Sequence, residues 1–99
     1  MATDAFEKLE TVFPQIVKLM TEEKFDSHKF ILTLAQEYQK LYIEALYAYR
    51  DKNRPFHAVH MAIGKRLKKR VDLVKHIDNQ LSKNIFGEES KVAVWRKVK

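Results

Sequence analysis

His57, Met61, Lys65 and Lys68 recur every three or four positions, so one face of any helix that holds them carries all four. Lys69 flanks that column and Arg66 lies beside it. Lysine and arginine neutralise phosphates, and side chains such as His57 and Met61 can reach base edges. The chemistry these types suggest is therefore recognition of nucleic acid. The segment Gly64 to Arg70 (GKRLKKR) carries five positive charges and no negative one.

The wider chain sharpens that reading. Residues 1 to 50 hold six Lys/Arg against eight Asp/Glu, whereas residues 51 to 99 hold thirteen against five, a shift from −2 to +8. A charge so divided calls for an acidic partner, with duplex DNA the leading candidate. A bland reading competes with it, because cations at a helix C-terminus also favour the negative end of the dipole and are often merely solvated. The excess spread over the whole second half favours the partner.

The elements that must position these residues follow from apolar spacing. Phe6, Leu9, Phe13, Ile16, Val17 and Met20 predict a first helix, with Asp4 and Glu7 as a capping box and Pro14 kinking the helix or marking its true start. Asp26 or Ser27 caps a second, long helix in which Phe30 through Tyr49 form a wide apolar face. The cluster Asp51 to Arg54 ends it, and Pro55 opens a third helix with Phe56, Val59, Ile63, Leu67, Val71 and Val74 as its buried stripe. Ile77 and Leu81 either extend that helix or belong to a fourth element beginning near Asp72; a break near Asp72 is favoured. From Val92 to Val98 the alternation has period two, which predicts a strand paired with residues 83–86 around Gly87, a terminal helix being the alternative.

Ninety-nine residues with 45% hydrophobic content make a single domain, residues 1–99. The expected fold is mainly α: three to four helices with a small C-terminal β-hairpin. This order resembles a winged helix, a variant of the helix-turn-helix. The resemblance implies that Pro55 to Arg70 is the recognition helix and Lys83 to Lys97 the wing, adding Arg96 and Lys97 to the nucleic-acid-binding set. Phe25 to Ile31 (FDSHKFI), Pro55-Phe56, Val59-His60, Asn84 to Gly87 and Trp95 also resemble patterns in small uncharacterised bacterial proteins. That likeness implies a bacterial or phage-like small domain and brings no activity or ligand with it.

Other chemistries find less support. No cysteine is present, so there is no disulfide framework or thiolate site, and a reducing cytoplasm is allowed. His57 and His60 are three apart and could recruit His28 or His76 to a metal, but His60 beside the apolar stripe reads better as a hydrogen-bonded core histidine, and no metal site is expected. Two glycines leave almost nothing for a nucleotide-binding loop, and Ser27 next to His28 is adjacency without nucleophile geometry, so neither an enzyme, a cofactor nor a small-molecule ligand is expected. No signal peptide is evident, and no run approaches the roughly 20 apolar residues of a membrane span.

The leading expectation is a small DNA-binding regulator of transcription. The alternative is a protein-interaction adaptor or homodimeric helical domain, for which Ile43 and Tyr47, four apart outside the main apolar stripe, supply the contact. Binding at a membrane surface ranks below both, because the third helix has too little spare apolar face.

Overall fold

Pro14 divides the first helical pattern in two. The computed structural model describes residues 2–98, with α1 at Ala2–Glu10 and α2 at Phe13–Leu19. Proline lacks a backbone N–H, which an interior turn would need but the first turn of α2 does not, and Pro14 sits there. The expected apolar set survives the break: Phe6, Leu9, Phe13, Ile16, Val17 and Met20 are all buried. The capping role read for Asp4 falls on a side chain outside the described residues.

A three-residue strand, β1 (Lys24–Asp26), comes next. Asp26 then caps α3 (Ser27–Glu37), its Oδ1 accepting from Lys29 N at 2.8 Å, a bond of the kind that contributes about 1 kcal/mol. The long second helix expected from the apolar pattern is interrupted at Tyr38, which leaves helical geometry at φ −128° and ψ 56°. The interruption lets α3 pack on α2 and β1 while α4 (Gln39–Ala48) turns to pack on α1. Aromatic pairs tie these layers: Phe13 meets Phe30 edge-on at 5.1 Å, Phe25 stacks on Phe30 at 6.1 Å, and Phe6 meets Tyr49 at 5.0 Å.

Helix α5 (Pro55–Lys69) opens on its proline and buries Val59, Ile63 and Leu67. Two residues assigned to its buried stripe are exposed. Phe56 is turned outward, and Val71 lies in the turn that follows the helix. The break expected near Asp72 is present, but it leads into a strand.

That strand overturns the expectation of a mainly α domain with a small hairpin. The fold is mixed, with a three-stranded antiparallel sheet of order β1-β3-β2 as a major part. Strand β2 (Val74–Lys83) is ten residues long and β3 (Glu89–Lys97) nine, so the hairpin begins well before the expected residues 83–86. Its turn is built by Asn84, whose Oδ1 accepts from Phe86 N at 2.9 Å and Glu88 N at 3.0 Å, and by Gly87 at φ +82°, a conformation suited to glycine. A bulge between His76 and Asp78 shifts the register.

The sheet docks on the helices through one face. Phe25 pairs with Trp95, and Trp95 with His76, and the first two are buried in the core alongside Val74. Trp95 Nε1 donates to Ser27 Oγ at 2.9 Å, and Ser27 Oγ donates onward to the Ala93 carbonyl at 3.4 Å, fastening β3 to the start of α3. No helix among the described residues is long and apolar enough to cross a membrane.

Candidate functional site

Docking the hairpin beside α5 encloses a groove of about 800 Å³. One wall is the outward face of α5, with Phe56, His57, Met61, Lys65 and Lys68. The opposite wall is the hairpin, which brings His76 and Asn79 from β2 and Lys91, Ala93 and Trp95 from β3. Ser27, His28 and Ile31 of α3 complete it. The column read from helical spacing is therefore real, but it faces another part of the same molecule across a concavity.

All four histidines of the chain line this groove, together with Arg54, Lys65, Lys68 and Lys91. Among the described residues of the lining, Glu88 is the single carboxylate. It is engaged at the hairpin turn, where its Oε1 accepts from Asn84 Nδ2 at 3.3 Å. Four cations against one anion leave the lining at +3 with neutral histidines, although no group of described residues is arranged to hold a metal ion.

The histidines differ in environment. His60 lies over Tyr42, with Nε2 and the phenol oxygen 2.6 Å apart, and burial pushes the Tyr42 phenol up to about 12. Burial, reinforced by the nearby positive charge that His28 and His57 would carry, pushes His60 down to about 4. A protonated phenol donating to a neutral Nε2 satisfies both groups and places the imidazole hydrogen on Nδ1. Nδ1 of His28 is buried with no hydrogen-bond partner, the one such side-chain atom among the described residues.

A pH dependence follows for His60. Its folded pKa is depressed below the unfolded value of about 6.5, so the unfolded chain takes up the proton first as pH falls. The stability is fully present above about pH 6.5 and is lost progressively down to about pH 4. Urea midpoints should fall from pH 7 to pH 5 more steeply in the wild type than in His60→Gln, which has no ring to protonate. Parallel profiles would show that His60 does not carry the effect.

The remaining predicted residues do not converge. Lys69 is exposed but is not part of the groove lining. Arg66 is held by Glu10 at 2.9 Å and lies over the Phe6 ring at 5.3 Å, so it braces α5 against α1. Arg96 sits on the sheet face away from the helices, between Lys24 and Lys75 across the strands, and Lys97 is drawn inward with its Nζ donating to the Met20 carbonyl. Ile43 and Tyr47 are exposed on α4, with Arg50 packed over the Tyr47 ring at 4.1 Å.

No family model, curated protein or solved structure matches this chain. The winged-helix resemblance accordingly has no support from comparison, and the groove has to be read from its own residues.

Sequence spacing missed Asn79, Phe86 and Lys91 and offered His28 and His76 only as metal partners of His57 and His60, because tertiary packing of the hairpin and of α3 is what brings these residues opposite α5. Gly64 carries a further signal. A glycine inside a helix costs about 1 kcal/mol relative to alanine, yet a Cβ at this position would meet nothing within 4 Å. Packing within the protein does not require the glycine, and its effect is to leave the α5 wall of the groove open.

Proposed function

We propose that the protein binds nucleic acid along the groove between α5 and the β2–β3 hairpin. The observation that carries this reading is the composition of the lining: Arg54, Lys65, Lys68, Lys91 and all four histidines around a single, already engaged carboxylate. Such a lining suits a polyanion, and the phosphate backbone supplies one charge per nucleotide. The second half of the chain, which supplies α5 and the hairpin, carries thirteen Lys/Arg against five Asp/Glu.

Salt dependence tests the reading. If the four cations neutralise four phosphates, affinity falls by about 50- to 150-fold between 50 and 200 mM salt, the lower figure for a single strand and the higher for a duplex. Binding indifferent to salt would exclude it. The competing reading, a homodimer through Ile43 and Tyr47, rests on two exposed side chains, one of which Arg50 already covers in part.

A further inference from the structure

We infer that the groove takes a single strand of nucleic acid, with unstacked bases against its apolar lining and phosphates on its cations. This rests on the nucleic-acid reading above and specifies the form of the ligand.

Shape argues against a duplex. A helix with its side chains is about 10–12 Å across, and the B-DNA major groove is about 12 Å wide and 8.5 Å deep, so a recognition helix must stand clear of its neighbours on the face it inserts. The candidate face of α5 does not stand clear. His57, Met61, Lys65 and Lys68 look across the groove toward Asn79 and Lys91 of the hairpin, and Phe86 of the turn reaches over to touch Phe56, ring centroids 4.9 Å apart. The hairpin occupies the space that the groove walls of a duplex would need.

The lining chemistry argues for unstacked bases. Phe56, Met61 and Phe86 line the groove and remain 43%, 52% and 55% exposed. Phosphates gain nothing from these side chains, and a duplex keeps its base faces stacked on one another. Every base in a single strand offers a π-face to such a surface. Asn79 and Ser90 add neutral hydrogen-bonding groups that match base edges once a base is splayed out. Arg54 and Lys68 lie near opposite ends of α5, about 20 Å apart at 1.5 Å per residue, a length that accommodates about three to six nucleotides depending on extension. Gly64, placed between Lys65 and the apolar side chains nearer Pro55, keeps the middle of that path open.

The test is fluorescence anisotropy on the full chain with an end-labelled mixed-sequence DNA strand of 12 nucleotides. The same labelled strand in a blunt duplex and unlabelled polyglutamate as competitor complete it. The strand should bind at least about tenfold tighter than the duplex. Phe86→Ala and Phe56→Ala should each weaken strand binding about 5- to 100-fold while leaving the salt slope unchanged. Phe86 lies on an exposed turn, and far-UV circular dichroism establishes that its variant is folded. Equal or tighter duplex binding, or strand binding insensitive to both phenylalanines, overturns the single-strand inference and leaves the nucleic-acid reading standing. Binding of neither DNA form nor an RNA strand of the same sequence overturns both, as does polyglutamate displacing the strand as well as unlabelled strand does, which would make the partner an acidic protein.

Discussion

If the groove binds nucleic acid as proposed, Lys65→Glu combined with Lys68→Glu should lower that affinity by more than about 100-fold at 100 mM salt. A hydrogen bond to a charged group contributes about 1.5–3 kcal/mol, so losing two such contacts already accounts for this factor before the introduced carboxylates repel phosphate. The double substitution changes the formal charge of the groove lining from +3 to −1. Both lysines are exposed, so the fold should persist. Lys69→Glu is the informative control. It changes charge on the same helix turn but outside the lining, and screening over a Debye length of about 10 Å leaves it a change of only a few fold. Equal losses from Lys68→Glu and Lys69→Glu in a direct binding titration would mean that general helix charge, not the groove, holds the ligand.

Trp95→Ala destabilises the protein by about 3–5 kcal/mol and lowers its melting temperature by about 15 °C or more. Trp95 is 3% exposed, pairs with Phe25 and His76 across the sheet, and donates to Ser27 at the start of α3. Truncation would leave a cavity under the central strand and strip Ser27 Oγ of its donor. Trp95→Phe retains most of the ring volume and loses the hydrogen bond, so it should cost about 1–2 kcal/mol, the lower end of what core changes of shape bring. Thermal melts followed by circular dichroism separate the two. A Trp95→Ala protein melting within a few degrees of wild type would mean that the sheet is not docked through this residue.

Local chemistry made several boundaries readable in advance. Pro14, Asp26 and Pro55 each act through a rule of the chain itself: a missing donor, a side-chain acceptor at a helix start, a preset φ. Gly87 and the alternation from Val92 onward marked the hairpin. Strand β2 was hidden for a specific reason. Its bulge between His76 and Asp78 breaks the period of two, and Ile77 and Leu81 stand four apart, the spacing of a helix. Strand β1 has three residues, too few to show any period. The interruption at Tyr38 involves neither glycine nor proline, so no residue type at that point announces it.

The candidate site divides in the same way. Its α5 wall was legible because 3.6 residues per turn orders His57, Met61, Lys65 and Lys68 without reference to anything else. The facing wall was not, since His76, Asn79 and Lys91 become neighbours of α5 only through the sheet. Arg66 and Lys97 look equivalent to the groove lysines in sequence. Glu10 and the Met20 carbonyl decide otherwise.

The pairing of β1 with β3 joins residues about 70 positions apart, Lys24 with Arg96 and Asp26 with Val94. A growing chain adds about 5–20 residues per second, so Phe25 waits about 4–14 s for Trp95 to be made, whereas helices form in microseconds. Through that interval Phe25 lacks its cross-strand neighbour, and neither β1 nor β2 has a partner strand, because β3 lies between them. The three-stranded sheet therefore closes in one late step, once residues 89–97 have been made.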